Sequence, residues 1–222
     1  MEWRIDHTPI SYPEAVAFME QRVRDIQGKQ KEECVWLLEH LPLYTAGTSA
    51  KPEDLLKDDF PVYQTGRGGQ FTYHGPGQRI AYVMIDLARR EKDIRKFVFG
   101  LEQWLIETIA SFGIQGERRP GRVGIWVQTP QGEEKIAAIG VRVSKWVSFH
   151  GVALNVNPDL THFQGIVPCG LPQFGVSSLA QLGVSVTMAE VDEVMQRCWL
   201  NNKFLAVTDE LPSCHADEGY PR

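Results

Sequence analysis

One cysteine and one lysine have surroundings that could make them reactive. Cys169 lies in the sequence Val-Pro-Cys-Gly, where proline and glycine hold the backbone in an irregular loop of the kind that often carries function. Lys135 opens an otherwise apolar stretch, residues 135–140. Such a lysine is either the solvated end of a strand or a partly desolvated amine that can move protons. The two residues stand 34 positions apart (169 − 135), so only the fold can bring them together.

A glycine-rich segment, residues 65–78, could bring main-chain N–H groups against a ligand. Five of its fourteen residues are glycine, which lets the backbone approach a bound molecule closely. It contains neither the Gly-Lys-Ser/Thr ending of a P-loop nor a dinucleotide fingerprint that leads from a strand into a helix. The segment therefore predicts either a binding loop for a phosphate, a carbonyl or an extended chain, or a long hairpin with a bulge.

The remaining cysteines and two histidines predict structural roles. No two cysteines form a C-x-x-C pair, so a zinc site is not expected. Cys34 and Cys198 lie in apolar patterns and are predicted to be core thiols, whereas Cys214 lies in a polar tail. His74 and His150 each precede a glycine, and we favour a hydrogen-bonding role for them over a metal-binding one.

Two basic clusters, residues 89–96 and 118–122, have two interpretations. Charge clusters of this kind are most often solvated faces of the protein. In a chain with 23 Lys and Arg against 28 Asp and Glu, and hence a net charge of −5, they could instead dock an acidic partner protein.

Composition limits the classes of protein to consider. With 222 residues, 43% of them hydrophobic and 23% charged, the chain is not disordered, collagen-like or a coiled coil. Its acidic balance gives no reason to expect nucleic-acid binding. The N-terminus does not resemble a signal peptide, and no apolar run approaches the ~18 residues needed to span a bilayer. We expect a cytoplasmic protein with one domain, residues 1–208, and a polar tail, residues 209–222, for which disorder is the expectation.

The pattern of apolar residues predicts the elements that must position the reactive residues. Helices are expected after a capping box at Ser11 and Glu14, after Asp93, and after a second capping box at Thr187 and Glu190. β-Branched and aromatic runs predict strands at residues 33–40, 61–65, 79–87, 123–128, 135–143 and 147–156. Because strands outnumber helices and do not alternate with them, the fold class is α+β: a single domain with a mixed, largely antiparallel sheet flanked by helices.

Four segments, in order and spacing, resemble the lipoyl(octanoyl) transferases, also called octanoyl-[acyl-carrier-protein]–protein N-octanoyltransferases. These segments are residues 66–78, 135–142, 150–156 and 165–171, and the resemblance extends from Tyr44 to the final helix. It implies a fold similar to the catalytic domain of biotin and lipoate protein ligases, which agrees with the α+β prediction.

The resemblance also implies a reaction. Cys169 would be the nucleophile that takes octanoyl from the phosphopantetheine thioester of acyl carrier protein. Lys135 would lower the thiol pKa and relay protons, and the acyl group would pass to a lysine of an apo lipoyl domain. Such domains belong to 2-oxoacid dehydrogenases and to the glycine cleavage H protein. No cofactor beyond the donor's phosphopantetheine, no metal, no nucleic acid and no membrane is expected, and the protein is expected to be a monomer.

The same resemblance assigns fourteen residues to the acyl pocket. They are Arg67, Gly68, Gly69, Gln70, Phe71, Thr72, Tyr73, His74, Ala138, Ile139, Gly140, Gly151, Val152 and Ala153.

Three other functions remain open on the sequence. An ATP-dependent lipoate or biotin ligase on the same fold would activate a free acid and would not need Cys169. A non-catalytic acyl-chain binding module would use Cys169 and Lys135 only structurally. A thioesterase would let water attack the acyl-cysteine.

Overall fold

A computed structural model describes residues 1–170 and 173–206, with only the backbone of Cys169. The predicted tail, residues 209–222, lies outside the described residues and stays a prediction, as does the domain boundary at residue 208. No helix in the described part of the chain is long and apolar enough to cross a membrane.

Three α-helices form where the apolar spacing predicts them: α1, Tyr12–Gln27; α2, Ile94–Ala110; and α3, Met188–Asn201. Asp93 caps α2 by accepting hydrogen bonds from two backbone N–H groups, and Thr187 and Glu190 form the expected capping box of α3. The predicted capping box at Ser11 is wrong, because the Ser11 side chain makes no bond to the backbone of the first turn. A proline near the start of α1 needs no such partner, since it has no N–H to satisfy.

Eleven β-strands are present in the described residues, and all six predicted strands are among them with shifted ends. Five strands were missed because they are short or lie in glycine-rich or charged sequence: β1, β3, β5, β7 and β11 below. The bounds are β1 Glu2–Ile5, β2 Cys34–Leu38, β3 Leu43–Ala46, β4 Val62–Gln64, β5 Phe71–His74, β6 Gln78–Met84, β7 Glu117–Arg119, β8 Arg122–Thr129, β9 Gly132–Ser144, β10 Val147–Asn155 and β11 Gly175–Val176.

The strands form two sheets. The large sheet has the order β1-β2-β6-β10-β9-β8-β7, with β11 paired to β9, and the small sheet has the order β4-β3-β5. Most neighbours are antiparallel, and β1–β2, β3–β4 and β9–β11 are parallel, so the mixed, largely antiparallel sheet is confirmed. The turn that joins β8 to β9 lies at residues 129–132.

Both faces of the large sheet are covered. On one face, alternate residues of β2 and β6 pack against α2 and α3; on the other face, the residues between them pack against α1. Cys34 and Cys198 are buried free thiols in these two cores, as predicted. The small sheet has its own aromatic cluster and lies over the α1 side of the large sheet, where the two enclose a cavity.

Candidate functional site

The cavity between the two sheets has a volume of about 340 Å³. Lys135 lines it, together with twelve of the fourteen residues that the resemblance assigned to the acyl pocket. Gly68 and Tyr73 lie outside the described lining. Gly68 instead donates its N–H to the Val141 carbonyl at 3.0 Å, and the Tyr73 hydroxyl contacts His162 at 2.8 Å. The sequence missed further lining residues, which come from distant segments: Tyr12, Ser49, Ile80, Tyr82, Gly121, Arg122 and Val123.

Hydrogen bonds from Arg67 hold the glycine-rich loop in place over the cavity. Its buried guanidinium donates to the Thr45 hydroxyl at 2.6 Å, the Thr45 carbonyl at 2.8 Å and the Gln70 carbonyl at 2.9 Å. The Arg67 side chain lies so close to Gly140 that a Cβ atom there would be 3.0 Å from Arg67 Cδ. The close packing of the loop therefore requires a glycine at position 140. The loop lies over the strands and does not form a tightly turned hairpin.

A shift in strand register determines the side of the sheet on which Lys135 lies. In a regular strand, residues three apart point to opposite faces, so Lys135 and Ala138 would be separated by the sheet. The pairing of β8 with β9 shifts between Ile125 and Trp126, and Ile136 and Ala137 both pack into the core under α2. This irregularity puts Lys135 and Ala138 on the same, cavity-lining side.

The Lys135 side chain is buried, with 7% of its surface exposed, so its interpretation as a solvated strand end is wrong. Its Nζ donates to the Val123 carbonyl at 3.1 Å and lies 4.8 Å from the centre of the Trp126 ring. A buried ammonium needs compensating contacts, and this one has a carbonyl and an aromatic face within the described residues. The amine is thus held at the cavity wall by contacts that leave it close to any molecule that enters.

The backbone of the segment that carries Cys169 lies close to the strand that carries Lys135. A short 3₁₀ turn, Pro168–Gly170, precedes β11, in which Val176 is paired with Lys135. Pro168 and Lys135 also line one small cavity. The fold therefore brings the backbone around Cys169 next to the lysine strand, and the Cys169 side chain itself lies outside the description.

Gly170 fixes the conformation of this turn. Its φ of +64° is favourable for glycine, and a Cβ atom there would lie 1.9 Å from Gln70 Oε1. Val167, the residue before this turn, donates its N–H to the Asp54 carbonyl at 2.8 Å. This hydrogen bond holds the turn against the segment that follows β3. The Pro-Cys-Gly sequence thus packs directly against the glycine-rich loop.

The two histidines and the two tyrosines of the cavity wall, His74, His150, Tyr12 and Tyr82, are neutral at physiological pH, because burial lowers the pKa values of the histidines and raises those of the tyrosines. Burial lowers the pKa of His74 to about 3 and that of His150 to about 4, and it raises the pKa of Tyr12 to about 12. His74 Nδ1 is 2.7 Å from Gln78 Oε1, which agrees with the predicted hydrogen-bonding role. Within the described residues no cluster of His, Cys, Asp and Glu could hold a metal ion. A cavity with neutral histidines and with small residues along two strands can accept an apolar chain beside its three cationic side chains, Arg67, Arg122 and Lys135.

The first basic cluster is a solvated face at Lys92, Arg95 and Lys96, as predicted, but not at Arg90, and the arginines of the second cluster form ion pairs. Arg90 is buried and forms an ion pair with Glu33 at 2.5 Å, which contradicts a solvated face at that position. In the second cluster Arg118 pairs with Glu102 at 3.1 Å, and Glu133 pairs with both Arg119 and Arg122. The sequence could not show this, because the partner carboxylates come from other elements.

Comparisons with known proteins agree on one family. The family described as "Lipoyl protein ligase A/B catalytic domain" matches residues 11–199. An octanoyltransferase of Rhodospirillum rubrum is 62% identical over 199 residues, 89% of this chain and 92% of that protein. An octanoyltransferase of Rhodopseudomonas palustris (strain BisA53) is 60% identical over 200 residues, 87% of this chain and 86% of that protein.

Solved structures share the fold at low sequence identity. A lipoate-protein ligase A bound with ATP has a TM-score of 0.68 at 16% identity, over 91% of this chain and 85% of that one. A bi-partite lipoate protein ligase from Thermoplasma acidophilum has a TM-score of 0.66 at 18% identity, over 91% and 84% of the two chains. The predicted likeness to lipoate ligase catalytic domains is therefore confirmed at the level of fold.

Proposed function

The chain belongs to the lipoyl protein ligase A/B catalytic domain family and is an octanoyltransferase, and we propose that it works through a thioester on Cys169. The proposed donor is octanoyl-loaded acyl carrier protein. The proposed acceptors are apo lipoyl domains of 2-oxoacid dehydrogenases and the glycine cleavage H protein. The proposed enzyme is a cytoplasmic monomer that uses no metal and no cofactor of its own.

In the first step the thiol proton of Cys169 resides on Lys135 as an ammonium, and the Cys169 thiolate beside it attacks the carbonyl carbon of the donor thioester. The bond from that carbon to the phosphopantetheine sulfur then breaks, and Lys135 returns the proton to the departing sulfur. A thiol near its ordinary pKa is only a few per cent ionised at neutral pH, so a neighbouring amine is needed. Thioester exchange is nearly balanced in energy, and the step needs no ATP.

In the second step the neutral ε-amine of the acceptor lysine attacks the acyl carbon. A carbon–nitrogen bond forms, the bond to Cys169 Sγ breaks, and one amine proton passes through Lys135 to the cysteine sulfur. The products are the octanoyl amide and the free thiol. Amide formation from a thioester is downhill, and it pulls the whole sequence forward.

The cavity supports an acyl chain of limited length. Ala138, Gly140, Gly151 and Ala153 line it on adjacent strands and leave room for a chain beside them. An eight-carbon chain buries about seven apolar carbons, which at ~0.8 kcal/mol each contribute roughly 5–6 kcal/mol. One methylene changes this by only about 1 kcal/mol, so the depth of the cavity must set the preference for chain length.

The observation that carries the proposal is the position of Lys135. It is buried in the cavity wall, directly opposite the strand that follows Cys169. Within residues 1–170 and 173–206 Lys135 has no carboxylate partner, and a lysine with a purely structural role has little reason to be placed in this way beside an apolar slot.

The test is mass spectrometry of the intact protein after mixing with octanoyl-loaded acyl carrier protein. We expect an octanoyl adduct on Cys169 that disappears when an apo lipoyl domain is added, with the acyl group recovered as an amide. Cys169→Ser should lose nearly all turnover, because an alkoxide is far harder to form than a thiolate. Transfer by the serine variant at the wild-type rate would refute the mechanism.

The same mixtures separate the alternatives. Amide formed from free octanoate and ATP without acyl carrier protein would indicate a ligase. Release of free octanoate without amide would indicate a thioesterase. Absence of any adduct would indicate a binding module.

A further inference from the structure

The strand pair next to Lys135 carries a group of stacked side chains, which we call the cavity cluster: Arg122, Trp126, Phe174 and Glu133. The Arg122 Cζ atom lies 4.6 Å from the centre of the Trp126 ring and 4.2 Å from that of Phe174. The two rings are 5.2 Å apart and nearly perpendicular, at 71°. Trp126 Nε1 donates to the Arg122 carbonyl at 2.9 Å. The guanidinium therefore holds two aromatic rings from different segments together.

Contacts inside the protein fix the Arg122 guanidinium. Its Nη2 atom donates to Glu133 Oε2 at 2.8 Å. Its Nη1 atom is buried and has no hydrogen-bond partner among residues 1–170 and 173–206. An arginine that gives up hydration on one side is held by its ion pair and by stacking of its planar face.

The cavity cluster contacts Lys135 through the indole. Lys135 Nζ lies 4.8 Å from the centre of the Trp126 ring, and the two residues are direct partners in the pairing of β8 with β9. Arg122 and Lys135 both line the cavity. Movement of the indole would therefore displace the lysine amine.

The cavity cluster also holds the segment that follows Cys169. Phe174 stands five positions after Cys169 (174 − 169) and immediately before β11, which pairs with β9 at Lys135. The Arg122 guanidinium contacts both this segment and Trp126, whose rings also contact each other. Arg122 thus contributes to the connection between the surroundings of the two reactive residues.

We propose that Arg122 is a positioning residue for acyl transfer: by stacking on Trp126 and Phe174 it holds Lys135 and the segment after Cys169 at a fixed separation. The proposal rests on the proposed function, in which these two residues act together. Arg122 itself forms and breaks no bond in the reaction.

A second group with the same chemistry provides a matched control. The edge cluster consists of Arg4, Phe18, Trp36 and Asp6, at the opposite edge of the large sheet. Arg4 Cζ lies 4.3 Å from the Trp36 ring and 4.7 Å from the Phe18 ring, and Arg4 Nε pairs with Asp6 at 2.9 Å. None of these four residues lines the cavity in the described structure.

The experiment measures acylation and turnover of the full chain with octanoyl-loaded acyl carrier protein and an apo lipoyl domain, for Arg122→Gln and Arg4→Gln. Because misplacement by about 1 Å can cost up to ~100-fold, we expect Arg122→Gln to lower kcat about 10- to 100-fold with little change in KM for the donor. Its pH profile for alkylation of Cys169 by iodoacetamide, followed on the Cys169 peptide, should move to higher pH. Arg4→Gln should match the wild type in kcat, in KM and in the pH profile.

Arg122→Lys distinguishes stacking from charge, since lysine keeps the charge beside Glu133 but has no planar face. We expect its kcat to stay within about threefold of that of Arg122→Gln. Recovery of wild-type kcat by Arg122→Lys, equal losses in Arg122→Gln and Arg4→Gln, or a raised KM with unchanged kcat would each overturn the proposal. If the wild type acylates Cys169 and Arg122→Gln does so equally fast, only the role of Arg122 fails; if the wild type forms no adduct, the proposed function fails and the role of Arg122 with it.

Discussion

The edge cluster and the cavity cluster contain the same interactions but connect different parts of the protein. Each contains a buried tryptophan, a second aromatic ring, an arginine stacked on both rings, and a carboxylate that pairs with the arginine. The edge cluster joins β1, β2 and α1 on the α1 side of the large sheet. The cavity cluster joins β8 to the segment after Cys169, and it includes a second cation, Lys135, on its indole.

The difference shows that stacking of this kind does not by itself indicate function. A cation–aromatic group stabilises whatever it connects, by about 0.5–2 kcal/mol. It becomes relevant to catalysis when the connected parts carry reacting groups and border a cavity. Substitutions in the two clusters test whether that distinction holds.

Removal of the extra cation should have the largest effect. Lys135→Met keeps a long apolar side chain against Trp126 but removes the amine, and we expect acyl transfer to fall by about 10²–10⁴-fold. Because the ammonium is buried without an ion pair in the described structure, the free energy of unfolding should be unchanged or higher. Single-turnover assays and urea unfolding measure the two quantities. A large loss of stability would assign Lys135 to the fold instead.

Acidification should lower the free energy of unfolding through the two histidines of the cavity wall. The four residues of the edge cluster include no histidine and should not contribute to this loss. His74 and His150 have folded pKa values of about 3 and about 4, against about 6.5 in an unfolded chain. Below pH 6.5 the unfolded chain binds protons that the folded protein does not, so stability falls as the pH decreases toward 4 and is constant above about 6.5. Between pH 7 and pH 5 we expect a loss of about 1–2 kcal/mol for each of these histidines.

Urea unfolding at the two pH values checks this expectation. His150→Asn should reduce the loss on acidification, and asparagine tolerates the positive φ of 58° at that position. His7→Gln, at an exposed site, serves as the control. An unchanged acid sensitivity in His150→Asn would contradict the assignment.

Equivalent substitutions of the two tryptophans should separate stability from activity. Trp36→Phe and Trp126→Phe each lose an indole N–H that donates to Asp6 and to Arg122, respectively, and each should lower the free energy of unfolding by about 1–2 kcal/mol. Only Trp126→Phe should also lower kcat, by about tenfold. The kcat values of the two variants are compared in assays at a temperature well below the melting temperature of either variant. Equal kcat values in the two variants would remove the functional distinction between the clusters.

The smallest expected effect is at the carboxylate of the edge cluster. Asp6→Asn keeps an amide oxygen that can accept from Trp36 Nε1 and weakens only the charged contact with Arg4, which is partly exposed, so the free energy of unfolding should fall by only about 0.5–1 kcal/mol. Acyl transfer should be unaffected. Urea unfolding and steady-state kinetics detect both outcomes, and a fall in kcat would show that the edge cluster also contributes to the site.

Local patterns were sufficient for most of the fold. The helix that begins after Asp93 and the strands at the ends of the Thr129–Gly132 turn form as predicted, because apolar periodicity and cap chemistry act over a few residues. The short strands Glu2–Ile5 and Phe71–His74 could not be predicted, since long-range pairing determines them.

The sequence by itself determined the α+β class, the family resemblance and the candidate residues Cys169 and Lys135, since these depend on residue types and on their order. Only the tertiary structure decided that Lys135 is buried, that Arg122 stacks between two segments, and that Glu133 pairs with Arg119 and Arg122. The physical reason is that burial and partnership arise from strand register. The shift between Ile125 and Trp126, which puts Lys135 on the cavity side, leaves no mark in the apolar pattern of either strand.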